Sequence, residues 1–563
     1  MASSRKTSKG RRAFRKPSQV KDVDLQELLS IVEQAKSVLS DEQHGKLKAA
    51  VDTLGVLTLE LEAKDVSVQR LRQLIFGPSS EKSSAVLGPP SQGESPPLET
   101  GVASSASAEE GTEKAKRKGH GRNAAASYKA ATKVSVKHET LRPGDPCPKC
   151  PTGKVYRLKK PSVLVRVTGM APLGAKVVEL ERLRCNLCNF IFSAKRPPEY
   201  GPKKYDESSA SMVALLKYGA GLPFYRIEKL QKNLGIPLPA STQWELVAKA
   251  SEQLLPAYQE LARHAAQGEV IHNDDTTMKI LDLIGKRREK AIAAGDIDPD
   301  QRAGIFTSGI LSKNKGVEIA LFFTGTKHTS ENLAEVLAQR AEDLSAPIQM
   351  CDALSKNFCG DFDTILSHCL VHSRRQFVEV AENFPKACRF VIETLREVYK
   401  VDAESAESQL SADERLKNHQ QQSGPKMAAL RVWLDEQFKN KVVEPNSSLG
   451  DAIKYMQKHW EKLTVFLRVA GAPLDNNVCE RILKKSILHR KNAYFYRTRR
   501  GARIGDLYMS LIHTAELGRV NTFEYLVALQ RNAEAVATAP GNWMPWNFLD
   551  TLEADKATAL NKK

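Results

Sequence analysis

No run of apolar residues in this chain approaches the length of about 20 that a helix needs to cross a bilayer. The first residues lack the apolar core of a secretion signal, so a cytoplasmic protein without a membrane partner is expected. No internal repeat is present, which excludes solenoid and propeller architectures. Acidic residues are missing altogether from the first 21 positions, which carry eight basic ones. Cysteine is scarce and uneven: nine in 563 residues, of which Cys147, Cys150, Cys185 and Cys188 form two close pairs while the rest are scattered. In a reducing compartment such pairs point to a metal site rather than to disulfides.

What the chain has in excess is positive charge. Lys and Arg number 84 against 66 Asp and Glu, a formal net charge of +18. Such a surplus favours a polyanionic partner, because each neutralised phosphate releases condensed counterions. A length of 563 residues also exceeds what one hydrophobic core supports, so several domains are expected.

Residues 1–21 form a basic arm, expected to be disordered and able to lie along phosphates through cations such as Arg11 and Arg12. Residues 22–76 are helical in pattern. Leu47, Leu54, Leu61, Val68 and Ile75 recur every seven positions, with Leu57 and Leu71 at the offset of three, the seam of a short coiled coil and hence of a homodimer. A helical hairpin within one chain is the alternative. Residues 77–133 are rich in Ser, Pro, Gly and Ala, a flexible linker whose basic end includes Lys116, Arg117 and Arg122.

The two CxxC knuckles fall within residues 134–200. Each tight turn lets two thiolates take neighbouring corners of a tetrahedron, so the four cysteines suit a closed structural Zn²⁺ site. The alternating stretches 162–169 and 175–184, with Val177, Val178 and Leu180, are expected to be the strands of a small β zinc ribbon. Residues 201–263 are expected to be helical, broken at Gly221-Leu222-Pro223, turning at Gly235-Ile236-Pro237 and restarting at Ser241 as N-cap. Helix, glycine turn and helix suggest a helix-turn-helix with 241–255 as recognition helix; packing helices are the alternative.

Val270 to Thr276 has the pattern of a short buried strand ending in acids, with Met278 to Leu281 continuing the sheet. Pro347 to Cys351 is a second such strand, ending in Asp352. Leu474 to Arg481 offers a helix start, with Asp475 as cap and Glu480 in the first turns. Two strand-end aspartates and a helical glutamate form a set suited to Mg²⁺ (or Mn²⁺) and in-line attack on a phosphodiester. Downstream, Arg490, Lys491, Arg497, Arg499, Arg500 and Arg503 interleave with Tyr494, Phe495 and Tyr496. That mixture suits a DNA backbone and an unpaired base; a solvated face with a buried aromatic stripe is the alternative.

Several segments resemble insertion-sequence transposase family sixty-six, in the same order along nearly the whole chain. They are Leu71 to Lys82, Gly119-His120-Gly121-Arg122, the cysteine pairs, Leu222 to Leu238, Asp274-Asp275-Thr276, the stretch Cys369 to Phe377 with His372, Arg374 and Arg375, and Asp475-Asn476-Asn477 with Glu480-Arg481 and Arg490-Lys491-Asn492. The resemblance implies a DDE-type transposase that cleaves at element ends and transfers strands into target DNA. Asp274, Asp352 and Glu480 would be its Mg²⁺ ligands; His372 is read either as a residue near the scissile phosphate or as a packing or hydrogen-bonded histidine. DNA contacts would come from Arg374, Arg375, Asn477, Arg481 and the cations after it.

Two departures keep alternatives open. Asp275 stands where the family has Glu, leaving Asp274 and Asp275 both eligible as first ligand. Asp352-Ala353-Leu354 departs from the family's second motif, so Asp361 and Asp363 are rivals to Asp352. The expected architecture is multidomain: N-terminal coiled coil, zinc ribbon, helical region, and an α/β RNase H-like catalytic domain. That domain is split into 264–376 and 471–520 by a helical insertion, 377–470, and followed by a C-terminal segment, 521–563. Expected partners are double-stranded DNA (terminal inverted repeats and target), a second copy of the chain and accessory element-encoded proteins, with a nucleoid-associated location. A noncatalytic zinc-ribbon DNA-binding protein and a metal-dependent nuclease without strand transfer are the alternative functions.

Overall fold

The computed structural model describes residues 25–37, 39–51, 140–148, 152–156, 172–184, 191–195, 197–198, 203–360 and 362–561. The basic arm, the linker, most of the heptad seam, Cys150, Cys185, Cys188 and Asp361 lie outside these residues. The chain divides into two units: residues 91–195 with 230–237, and the remainder.

At the N-terminus, helix α1 (Leu25–Gln34) is followed by helix α2 (41–51) after a break. Ser40 explains that break, because its hydroxyl accepts from the Gln43 amide (3.4 Å) while the Gln43 side chain accepts from the Ser40 amide (3.2 Å). This reciprocal pair starts a new helix ahead of the heptad seam that begins at Leu47.

In the smaller unit, residues 142–148 and 152–155 are tied together by amide bonds from Gly144 to Val155 O, from Val155 to Asp145 O and from Cys147 to Gly153 O. A two-stranded antiparallel ribbon joins β1 (Arg182–Arg184) and β2 (Ile191–Ser193). The strand expected around Val177 to Leu180 is absent, and its large side chains are exposed.

The larger unit is built on a five-stranded mixed sheet, β3 (Val270–Thr277), β4 (Phe306–Asn314), β5 (Val317–Gly325), β6 (Ile348–Cys351) and β7 (Ile365–His368), in the order β5-β4-β3-β6-β7. β4 is antiparallel to both of its neighbours, β3 and β5, while β6 runs parallel to β3 and β7 parallel to β6. This order is compatible with an RNase H-like fold. Met278 to Leu281 does not extend β3; the chain leaves the sheet, and Ile280 makes an isolated parallel bridge with Tyr496.

Before the sheet come α3 (Glu207–Ala214), α4 (Phe224–Asn233) and α5 (Ala240–Ala266). Ser241 is not the N-cap of α5: Pro239 is, and the first free amide, Ala240 N, is met by Glu228 Oε2 at 3.2 Å. Stretch 241–255 is the first half of a 27-residue helix whose Val247, Leu254 and Leu261 are fully buried, so its apolar face packs into the core. The Ser312 hydroxyl of β4 donates to Ala265 O (2.6 Å), seating α5 against the sheet.

Helix α6 (Gly285–Ala293) precedes β4, and α7 (Thr329–Leu337) lies between β5 and β6. After β7 come α8 (Leu370–Glu379), α9 (Pro385–Glu407), α10 (Ala412–Asn418), α11 (Gly424–Lys439) and α12 (Ser448–Lys458). The apolar faces of α8, α9, α11 and α12 share one core with Ile348 of β6. Then follow α13 (Asn477–Ala493), α14 (Arg499–Leu517), α15 (Thr522–Arg531) and α16 (Phe548–Asn561).

An edge strand leaves alternate backbone amides unpaired, a hazard that proteins cover in various ways. Here α14 covers β5: Asp506 Oδ2 accepts from Thr324 N (2.7 Å), Ser510 Oγ from Phe322 N (3.0 Å) and Thr514 Oγ1 from Ala320 N (3.1 Å). Four helical residues rise about 6 Å, close to the advance of two strand residues, so polar side chains four apart meet amides two apart. The C-terminal segment docks on α5, with Trp543 buried and Trp546 edge-on to His264.

Candidate active site

Strand alternation gives β3 two chemically distinct faces. His272 and Asp274 share one face with Gly309, the register partner of Asp274; Asn273 and Asp275 share the other with Ser308. On the neighbouring parallel strand His272 is paired with Met350, and two residues further along each chain come Asp274 and Asp352.

Glu480 reaches the first of these faces on α13. The close approach of that helix depends on Gly309, where an added Cβ would stand 2.9 Å from Leu483. Cys479 Sγ donates to Gly309 O at 3.3 Å. Asn476 fixes the start of the helix: it is fully buried, its Oδ1 meets His272 Nδ1 (3.1 Å), its Nδ2 donates to Asn273 O (3.1 Å) and its amide donates to Cys369 Sγ (3.3 Å). Asp475 is not the cap residue. Asn476 holds that position, and Asp475 accepts from the Asn477 amide (3.0 Å) and side chain (2.8 Å). Behind the helix, Lys217 Nζ meets His489 Nε2 at 2.9 Å in a buried pair, where burial lowers Lys217 to about 8.

Asp274 is raised to about 7, first by burial and then by the neighbouring charges of Asp352, Asp275 and Glu480; an amide bond from Asp275 offsets part of this. Glu480 Oε1 is buried with no hydrogen-bond partner, and His372 Nε2 stands 3.8 Å from it. Asp352 accepts from Leu354 N (3.1 Å) and from the Asn357 side chain. Burial holds His272 down at about 3, so it is neutral.

Asp275 has a different environment. Its side chain is 2% exposed and paired with Lys356 Nζ (2.6 Å) and His328 Nδ1 (2.9 Å). Its charge is already matched. Asp363 is exposed, ahead of β7. Electrostatic crowding around Asp274 and an orphaned oxygen on Glu480 go with the all-oxygen donor chemistry that hard divalent cations prefer. Among the described residues, no group of three or more His, Cys, Asp or Glu side chains stands close enough to hold an ion as placed.

Of the expected DNA-contacting residues, Arg481, Lys491, Arg497, Arg499 and Arg500 are exposed, whereas Arg374 and Arg375 are half-buried on α8. Arg490 turns back to β3, donating to Thr276 Oγ1 (3.2 Å) and Thr277 Oγ1 (2.6 Å), and so braces the strand end that carries Asp274. Arg11, Arg12, Lys116, Arg117 and Arg122 lie outside the described residues. Sequence reading missed His272, Asn476 as a clamp, Gly309 and Lys356. Only Asn476 carried a signal, as the middle residue of Asp475-Asn476-Asn477.

Residues 203–504, more than half of the chain, match the family model described as "Transposase IS66 family". The chain belongs to that transposase family. Similar proteins from Sinorhizobium fredii (strain NBRC 101917 / NGR234) include uncharacterized protein y4jD, 25% identical over 417 residues covering 71% of this chain and 77% of the relative. Another is uncharacterized protein y4hP, 24% identical over 399 residues covering 67% and 69%. Among the described residues, no helix is long and apolar enough to cross a membrane.

Proposed function

We propose that this chain is a DDE-type transposase that cleaves DNA at the ends of a mobile element and joins the freed 3′-hydroxyl to target DNA, on an RNase H-like domain. The observation that carries this reading is the crowding around Asp274, whose carboxyl is raised to about 7 by burial and by the charges of Asp352, Asp275 and Glu480. Unmatched buried carboxylates cost stability and are kept where a counter-charge has a task. Asp274, Asp352 and Glu480 would hold Mg²⁺ or Mn²⁺. When bound, such ions supply Lewis-acid polarisation of the phosphate and a more acidic water or hydroxyl.

The protein contributes positioning. Asn476 and His272 fix the start of α13 and thereby Glu480, while His372 borders the Glu480 carboxylate. Exposed Arg481, Lys491 and Arg497 neutralise DNA phosphates on the same helix and the turn after it. Cys147, Cys150, Cys185 and Cys188 would hold a structural Zn²⁺, and pairing through 22–76 would bring two copies to the two inverted repeats. Accessory element-encoded proteins and a nucleoid location belong to the same reading.

The test is a plasmid carrying the element's ends, incubated with Mg²⁺ and the full chain. Wild type nicks at the ends and joins strands; Asp274→Asn and Glu480→Gln lower both by at least about a thousandfold with DNA binding retained. Wild-type rates in either variant overturn the assignment. End cleavage without joining identifies a nuclease, and binding without cleavage a noncatalytic DNA-binding protein.

A further inference from the structure

Helix α13 begins at the carboxylates and ends in a strained turn. The Phe495 amide donates to Ala493 O (2.9 Å) across Tyr494, which has φ 67° and ψ −37°. This is a three-residue γ-turn of the rare, strained sense. Its effect is to separate three consecutive aromatics. Tyr496 is buried (6% exposed) and tied down by its amide to Lys279 O (2.8 Å) and by its carbonyl to Leu281 N (2.9 Å). Tyr494 and Phe495 are left 67% and 42% exposed. Two large rings are thus held in water on a turn anchored at both sides, an arrangement that costs stability and is typical of functional sites.

Just beyond the turn lies a cavity of about 500 Å³ with Ile280 and Leu283 in its wall and Arg499, Arg500 and Arg503 at its rim. Arg500 reaches Glu252 at 3.4 Å. Arg499 and Arg503 have no ion pair among the described residues, and both are exposed. The acid in the wall, Asp282, is paired with Arg287 at 3.9 Å. Arg499 and Arg500 on the first turn of α14 also oppose its dipole, and that turn carries no acid. Apolar wall, exposed rings and surplus guanidinium charge are together complementary to one class of ligand, a nucleotide out of its duplex, with a flat base and a charged phosphate.

We propose that Tyr494 and Phe495 stack on an unpaired base of the DNA beside the carboxylate site, and that Arg499 and Arg503 hold the phosphates of that displaced strand at the cavity. The proposal rests on the DNA-processing reading above. Tyr494 lies 14 residues beyond Glu480, about 21 Å along the helix axis. At about 3.4 Å per nucleotide of one strand, the stacked base is within about six nucleotides of the scissile phosphate.

The experiment measures binding of the full chain to two labelled duplexes of the same sequence, one fully paired and one ending in an unpaired tail. Mg²⁺ and Mn²⁺ are left out so that no cleavage contributes. Wild type binds the tailed DNA about tenfold more tightly, as stacking of one base allows. The double variant Tyr494→Ala, Phe495→Ala loses that preference while paired-duplex binding changes less than about twofold. Tyr494→Phe keeps the preference, and Tyr494→Gly, which relieves the positive φ, removes the ring without threatening the fold. Arg499→Ala with Arg503→Ala lowers the salt slope for tailed DNA by about 1.4, two phosphates' worth on a single strand. Equal binding of both DNAs by wild type overturns the proposal and leaves the transposase reading standing, as does a preference that survives in the double variant. Failure of wild type to bind either DNA removes both.

Discussion

Asp274 and Asp275 are identical residues one peptide apart, and the sheet gives them opposite environments. Asp274 faces Asp352 and Glu480, and burial among like charges raises it to about 7. Asp275 points to the other face, where Lys356 and His328 match its charge within hydrogen-bond distance. Composition cannot distinguish them. The pleat can, because successive side chains leave a strand on opposite sides. The lesson is that a carboxylate's neighbours, more than its burial, separate a site that still needs a counter-ion from one that carries its own.

The largest effect that sharpens this contrast is on cleavage. Asp274→Asn removes metal-dependent nicking, whereas Asp275→Asn leaves it within about tenfold of wild type. Equal losses in the two variants would erase the distinction between the faces. The expected order reverses for stability. Removing one partner of a buried ion pair costs about 3–5 kcal/mol, and the partial exposure of Lys356 reduces that for Asp275→Ala to about 2 kcal/mol. Urea unfolding of the two alanine variants side by side measures it, with Asp274→Ala expected to be neutral or stabilising.

A subtler test acts through geometry. Gly309→Ala places a methyl 2.9 Å from Leu483, forcing α13 outward and moving Glu480 away from Asp274. Overpacking of this kind costs about 1–3 kcal/mol, and nicking falls more than stability because reach, not charge, is lost. Gly309→Ala with Leu483→Ala relieves the clash; recovery of nicking in that pair identifies helix displacement as the cause.

The smallest expected effect comes from a third buried acid, remote from the site. Asp506 is raised to about 7 by burial, partly offset by hydrogen bonds from Thr324. Its folded pKa lies above the unfolded value, so the folded state binds more protons between about 4 and 7. Stability from this group is therefore fully present below about 4 and lost as pH rises through about 7. Asp506→Asn flattens that part of the pH profile in thermal unfolding, since the amide keeps an acceptor for β5 and carries no charge. An unchanged profile would show that Asp506 does not titrate as its burial requires.

Several parts of this arrangement were legible in the sequence. Apolar runs ending in acids marked β3 and β6, and the spacing of Asp475 to Arg481 marked a helix with Glu480 in its first turn. The helical character of 377–470 followed from its pattern. The choice of cap went wrong twice, at Ser241 and Asp475, because a cap depends on which neighbour reaches the free amides. Glu228 from the preceding helix met Ala240, and Asn476 was pulled inward by His272 and Cys369. Within the stretch expected to be helical over 22–76, a local capping pair at Ser40 starts a new helix ahead of the heptad seam that begins at Leu47.

By itself the sequence determined the period of each element, the surplus of positive charge and the acids available at strand and helix ends, because these depend on residues near one another in the chain. Tertiary structure decided which acids share a face, that Arg490 braces β3, and that Tyr496 is buried while Tyr494 and Phe495 are not. The physical reason is common to all three. The packing of a helix over Gly309, the bonds of Arg490 to Thr276 and Thr277, and a turn anchored to Lys279 and Leu281 join segments some two hundred residues apart in the chain, and local pattern carries no record of such neighbours.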